Sequence, residues 1–403
     1  MTQWALAAAI VSAISVAQGP DIAALERAVA AKPGDVQSRR TLADAFLVAG
    51  RGMDAVTQLH TATTLAPRVP GIWYALGQAY NTVKQDALAT FTSPSEAPWR
   101  ALLSADALLE NGHLTDAFAL YRAALDALPE MVTAHESIAR IYNRTGHSDW
   151  AALERAKIHL GTDACATRQA LCEFRAGRYR SSLDAAMKQS DAEARYWRAR
   201  AANELALAAF KQLETLPDSP ERRGVRAAVA QGQERYTDAV SELKAAVQLA
   251  PRQPELQYQL ASAYYLARDY ETTITTLSPL LESYPNDARL LTLHAESLLQ
   301  LQRGDQAVSI LERLVERSPT PRAKLALGRA YFQSGNYAAA VRSLEGQLDG
   351  DTDGSLHIQV ARAYLALGQR DKAAPLLTRS EQLRKADEER KASQLTRVIT
   401  APR

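Results

Sequence analysis

Prolines recur at a fixed interval in this chain. Pro33 and Pro67 lie 34 residues apart, and Pro217, Pro251, Pro285 and Pro319 follow one another at the same spacing. A ring that cannot continue a helix interior, repeated at one spacing, ends one structural unit after another. Thirty-four residues suit a helix–turn–helix unit that is stacked rather than folded alone. Gly50, Gly112, Gly146, Gly335 and Gly368 stand between the prolines, where the first helix of each pair has to end. Small residues fall where the two helices of a pair cross: Gly77, Ala105, Ala139, Ala261, Ala295, Gly328 and Ala361 on the first helix, and Ala55, Ala117, Ala151, Ala239, Ala307, Ala340 and Ala373 on the second. Tyr80, Tyr142, Tyr264, Tyr331 and Tyr364 are placed to fill the space between successive pairs. Abundant Ala and Leu, with only 6% aromatics, add a helix-forming bias.

The least decayed units read Leu327-Gly328-Arg329-Ala330-Tyr331 followed by Gly335, Tyr337, Ala340 and Leu344, and Leu260-Ala261 with Tyr264, Tyr270, Leu277 and Pro285. Trp73, Leu76-Gly77 and Tyr80 repeat the pattern. These offsets resemble the tetratricopeptide repeat (TPR) over residues 20 to 385 or so. The resemblance implies an all-α fold, an α-α superhelix (a TPR solenoid) of about ten to eleven helical hairpins. The units are 36–69, 70–97, 98–131, 132–162, 163–191, 192–219, 220–253, 254–287, 288–320, 321–353 and 354–387. Residues 18–35 hold a leading half-repeat, a lone helix from Asp21 to Ala31. Residues 36–191 form an N-terminal array and 192–387 a C-terminal one, with a charged tail over 388–403. Unit 70–97 has a truncated second helix, and unit 192–219 lacks a glycine turn and is expected as one long or kinked pair.

Trp4 to Val16 is an uncharged run of apolar and small residues ending at Ser15-Val16-Ala17, so residues 1–17 resemble a signal peptide. Met1-Thr2-Gln3 carries no Lys or Arg, which leaves an uncleaved amphipathic helix as the other reading. The run is shorter than the roughly 20 apolar residues of a membrane span, and no membrane insertion of the mature chain is expected. Export to the periplasm or outside follows from the leader; a cytoplasmic location follows without it. The two cysteines, Cys165 and Cys172, are seven residues apart. On one continuous helix they are about 10 Å apart along the axis, too far to bridge. A disulfide therefore requires Cys165 to precede the helix, with Thr167 as its cap, and Gly161-Thr162-Asp163 supplies a loop. Two small buried thiols are the alternative.

Lys and Arg number 47 against 45 Asp and Glu, a net charge of +2, which lacks the footprint of a nucleic-acid binder. The seven histidines are scattered. His135-Glu136 opens like a zinc-protease helix, but Ala139 stands where the second histidine belongs. No metal, cofactor or catalytic constellation is expected. His294 reads as a core residue holding a hydrogen bond, and His147 as a polar turn residue.

The resemblance also implies that a partner meets the inner, concave face of the first helices. The corresponding positions are Tyr74, Gln78 and Asn81; Trp99, Leu102 and Asp106; Glu136, Arg140 and Asn143; Tyr258, Ser262 and Tyr265; and Arg329 and Phe332. Aromatics beside Arg and amides suit recognition of a protein or peptide partner. The TPR clamp for a terminal carboxylate needs a Lys and an Asn four residues on; Arg40 and Asp44 stand there, and the acid disfavours that mode. The expected function is a non-catalytic interaction scaffold in a bacterial periplasm or envelope, or else an accessory subunit of an envelope enzyme or secretion complex.

Overall fold

The structure, a computed structural model, describes residues 21–158, 164–395 and 398–402. The expected leader at 1–17 and the loop residues Gly161-Thr162-Asp163 lie outside the described residues. Among those described there are helices and turns and no strand. The chain divides into two compact units, one running to Val225 and including the segment after residue 397, the other from Arg226 to 396.

The first unit holds α1 (Ile22–Ala31), α2 (Val36–Val48), α3 (Gly52–Leu65), α4 (Pro70–Ala89), α5 (Ala97–Glu110), α6 (Leu114–Ala127), α7 (Val132–Arg144), α8 (Ser148–Ala156), α9 (Ala164–Thr167), α10 (Gln169–Arg175), α11 (Tyr179–Ala186) and α12 (Ala192–Glu214). The boundary falls within α13 (Pro220–Gly232). The second unit continues with α14 (Tyr236–Leu249), α15 (Pro254–Leu266), α16 (Tyr270–Ser283), α17 (Ala288–Gln300), α18 (Gly304–Arg317), α19 (Pro321–Gln333), α20 (Tyr337–Leu344), α21 (Ser355–Ala366) and α22 (Arg370–Leu395).

Helix pairs form where the sequence provides both a turn and a crossing point. Asp35 caps α2, its carboxylate accepting from the Ser38 N–H, and Thr320 does the same for α19 toward Ala323. The seven alanines expected on second helices, from Ala55 to Ala373, are all fully buried. Gly328 faces Leu344 so closely that a Cβ there has no room. The interhelix turn passes through a left-handed residue. It is Gly335 (φ 78°) in one unit, but Arg268 (φ 62°) and Gln302 (φ 59°) hold the same place in others.

Unit 192–219 folds as one long helix, α12, in line with its missing glycine turn, and unit 70–97, expected with a truncated second helix, is also one long helix, α4. Neither unit carries a turn residue at its midpoint: Lys84-Gln85 and Leu205-Ala206 are good helix formers and the helix runs on. Each helix then lacks a second helix within its own unit, and they pair with each other, antiparallel. Arg195 donates to the Thr90 carbonyl (2.9 Å), Lys84 Nζ to Asn203 (3.1 Å), and Tyr74 meets Phe210 at 6.4 Å between ring centroids. Gly77, expected against its own second helix, lies against the Phe210 ring instead.

Cys165 and Cys172 are joined by a disulfide with Cα atoms 5.6 Å apart. The chain breaks helix at Arg168, so Cys165 sits on the short α9 and Cys172 on α10. Arg168, not Thr167, is the cap of α10; the Thr167 hydroxyl donates back to the Ala164 carbonyl at 3.3 Å. At the other end, α22 passes the expected boundary at 387 and continues to Leu395.

Candidate functional site

In the second unit α15, α17 and α19 present one strip of side chains spaced three, four or seven residues apart. Tyr258, Ser262 and Tyr265 come from α15, Arg289, Thr292 and Glu296 from α17, and Arg322, Arg329 and Phe332 from α19. Arg289 ties two repeats together. Its guanidinium reaches Glu255 (3.2 Å) and Asp287 (3.1 Å) and lies 5.1 Å from the Tyr258 ring centroid. Burial pushes the Glu255 carboxyl up against the opposing pull of Arg289, and its Oε1 is buried with no hydrogen-bond partner. Burial likewise raises Tyr258 and Tyr265. Arg322 bridges to Glu296 at 2.7 Å, with most of its side chain in solvent. Beside this pair a cavity of about 140 Å³ opens between α17, α18 and α19, lined in part by Thr292, Leu311, Leu314 and Ala326.

Three of the residues anticipated here have internal contacts as well. Tyr258 and Tyr265 pack against the cluster of Ala261, Leu277 and Leu290, and Tyr265 meets Tyr270 at 5.4 Å. Phe332 packs edge-on to Tyr337 at 5.5 Å. Arg329 is exposed. Arg289, Glu296 and Arg322 were not among the anticipated residues. Their signal was available, since Arg289 stands one period of 34 residues beyond Glu255.

In the first unit α12 packs on part of the face where a partner was expected. Trp99 packs on Tyr196 (5.5 Å), and Leu102 is fully buried. Asp106 accepts from Tyr121 (2.6 Å), Tyr196 (3.3 Å) and Arg200 (3.2 Å). Burial works against the Arg200 charge, but the attraction of Asp106 and Tyr196 outweighs it and its pKa is raised; Tyr196, buried, is pushed up to about 12. Tyr74, Gln78 and Asn81 are half-buried on α4, Glu136 is engaged by Arg175 (2.7 Å), and Asn143 and Arg140 are exposed, with Arg140 donating to Ser137 at 3.1 Å. Asp106 also lines a cleft of about 200 Å³ with Lys84, Ser104, Glu110, Arg200 and Asn203. Burial lowers Lys84 and raises Glu110, so the cleft holds ionisable groups of both signs.

Two of the histidines, His135 and His147, have structural contacts. His135 Nδ1 lies 2.6 Å from Glu154 and Nε2 lies 2.9 Å from the Pro129 carbonyl. Both partners can accept from the protonated ring, and the hydrogen bond with Glu154 is the chief cause that raises its pKa. His147 stacks on Trp150 at 4.2 Å in the turn before α8. His294 is half-buried, and burial lowers its pKa. Among the described residues no group of three or more His, Cys, Asp or Glu is placed to hold a metal ion.

Repeated antiparallel helix pairs, joined by left-handed turns and locked through small residues, define a helical-repeat protein of the kind that binds other proteins. Three family profiles described as tetratricopeptide repeat match this chain, at residues 228–297, at 40–89, 102–159 and 292–351, and at 15–64. The chain belongs to the tetratricopeptide repeat family. It is 27% identical over 115 residues to the TPR repeat-containing protein YpiA of Bacillus subtilis, a match covering 28% of this chain and 27% of that one. Among solved structures it is similar to MamA (41-end) from Desulfovibrio magneticus RS-1, at 20% identity and TM-score 0.39 over 42% of this chain and 97% of the other. It is also similar to TTC0263, a thermophilic TPR protein of Thermus thermophilus, at 18% identity and TM-score 0.34 over 45% of this chain and all of the other. No helix among the described residues is long and apolar enough to cross a membrane.

Proposed function

We propose that this protein is a non-catalytic scaffold that binds an extended segment of a protein partner along the α15–α17–α19 strip. The observation that carries this reading is Glu255. Its Oε1 is buried and unpaired beside Tyr258 and Arg289, and an unmet acceptor in a desolvated place is costly until a donor arrives. A backbone N–H or a basic side chain of the partner supplies that donor, while Tyr258, Arg329 and Phe332 supply contact area. We place the protein in an oxidising compartment, the periplasm or envelope of a bacterium. The disulfide and the signal-like leader support that placement.

The test uses Thr292 replaced by a photo-crosslinking amino acid in cells. Specific crosslinks to one partner are expected. Arg329→Glu with Tyr258→Ala should reduce their yield by tenfold or more, in line with loss of about 2 kcal/mol at an aromatic–arginine centre. Unchanged crosslinking by a folded double variant would overturn the reading, as would turnover of any substrate by the purified chain.

A further inference from the structure

The segment Val398–Pro402 follows the long α22 and lies on the first unit in no regular secondary structure. It is seated by two different interactions. The Tyr142 hydroxyl donates to the Thr400 backbone carbonyl at 2.6 Å, and Ile399 packs against the core cluster that contains Phe118, Ile138, Ile141 and Tyr142. Tyr142 itself is fully buried, between Phe118 (5.6 Å) and Trp150 (5.6 Å).

This face is open for a local reason. Within the repeat pattern the second helix of each pair packs on the first helix of the next, as α6 does on α7. After α8 the stacking lapses: α8 is nine residues long and makes at most glancing contact with α10 among the described residues. Among the described residues α10 is not stacked on α8 as α7 is on α6, and the 398–402 segment lies on the Phe118–Tyr142 flank.

The fit is incomplete. Arg122 lies over the Phe118 ring at 5.8 Å and its charge acts on Tyr142, so it belongs to the same face. Its Nη1 lies 4.0 Å from the buried Glu154 carboxylate, and its Nη2 is buried with no hydrogen-bond partner. Val398 is 67% exposed, and neither Thr400 nor Ala401 is buried. A segment held by one side chain and one main-chain hydrogen bond, leaving a guanidinium donor unmet beside it, is easily exchanged.

We infer that the Phe118–Tyr142–Trp150 face is a second peptide-binding surface, for which residues 398–402 are a built-in competitor. Its partner is an extended segment with a β-branched aliphatic side chain in the place of Ile399, a main-chain carbonyl on Tyr142, and a carboxylate one or two residues further on that reaches Arg122. Such a segment makes every contact the built-in one makes and adds a charge-assisted pair. Docking an extended chain through main-chain hydrogen bonds and one anchoring side chain is a recurrent mode of peptide recognition. This surface is separate from the α15–α17–α19 strip, so the two proposals fail independently.

The test is fluorescence anisotropy with a labelled peptide copying residues 396–403 and a second peptide in which the Ala401 position is Glu. Both are titrated against the full chain and against the full-chain variant Ile399→Asp, which empties the seat. Ile399→Asp should bind the first peptide at least tenfold more tightly than the unaltered protein does. Adding Tyr142→Phe should cost about fivefold, the size of one net hydrogen bond. The Glu-bearing peptide should bind about fivefold or more above the first, and Arg122→Gln should erase that gain. Equal affinities for the unaltered protein and Ile399→Asp overturn the proposal, as does absence of binding by a folded Ile399→Asp. A full-chain variant with Gly and Ser replacing residues 398–402 guards against a folding defect. If both variants lose the helical signal of α6–α8, the segment is a structural part of the unit and the proposal falls. It also falls if the unaltered protein dimerises and Ile399→Asp does not, since a second copy then supplies the segment.

Discussion

At the scale of single residues, Arg268 and Gln302 stand where other repeats have glycine, and each holds a left-handed φ. That conformation costs an L-residue about 1–2 kcal/mol, whereas glycine gives back roughly 0.5–1 kcal/mol in unfolded-state entropy. Arg268→Gly and Gln302→Gly are therefore each expected to stabilise by about 0.5 kcal/mol and to add together, since they lie in different turns. Gly335→Ala should do the reverse; urea titration of the three variants decides it. His135 and Glu154 make a second residue-scale prediction. The His135 pKa is raised by its hydrogen bond to Glu154, so its contribution is complete below about pH 6.5 and fades as pH climbs through the raised value. The Glu154 carboxyl is penalised by burial, yet hydrogen bonds from His135 and Lys157 hold its pKa below the usual value. Its contribution is present above the ordinary glutamate pKa and disappears as acid titrates it. The pair should be strongest near pH 5–6.5. Denaturant midpoints of the unaltered protein should fall between pH 6 and pH 9 more steeply than those of His135→Gln, which should itself lose about 3 kcal/mol at pH 6. Parallel pH profiles would reject the assignment.

At the scale of helices, the pairing of α4 with α12 depends on Gly77. A Cβ at that position collides with the Phe210 ring, so Gly77→Ala should destabilise the first unit by about 1–3 kcal/mol through overpacking. Phe210→Leu should relieve much of that cost in the double variant, giving a coupling that thermal melts can read; additive losses would mean the two helices do not meet there. This pairing also marks the limit of what the repeat pattern revealed. The period located the alanines and turn glycines because each satisfies a local demand, a crossing point or a left-handed turn, that shows at one position in the sequence. Which helix fills the flank of α4 is settled by partners more than 100 residues away, Asn203 and Phe210, and nothing near Gly77 encodes them. The same cause changes the surroundings of part of the anticipated binding face. Trp99 and Asp106 occupy the right repeat positions, but α12 covers them, whereas Tyr258, Arg329 and Phe332 lie where the array stacks regularly and keep their place on the strip. Arg289 and Glu255 stand one 34-residue period apart, but an ion pair between repeats shows only when two units are read together and not in either helix.

At the scale of the whole molecule, a repeat array spreads its stability through nearest-neighbour contacts, so a local constraint has a local reach. The bridge between Cys165 and Cys172 lies in the one stretch where the pattern is most decayed, with helices of four, seven and eight residues in α9, α10 and α11. Helices this short are marginal alone. Closing the seven-residue separation removes unfolded-state freedom worth about 2 kcal/mol. Reduction, or the pair Cys165→Ser and Cys172→Ser, is expected to lower the opening free energy by about that amount around Leu171 and Leu183, both fully buried in the first unit. Leu311 and Leu327, in the second unit, should be unaffected. Hydrogen exchange followed by mass spectrometry with and without reductant separates these regions. Equal loss of protection at all four leucines would show that the chain opens as one cooperative body, and the account of a locally stapled weak repeat would have to be abandoned. Loss confined to α9–α11 would identify the disulfide as a substitute for the packing that a full-length hairpin provides elsewhere in the array.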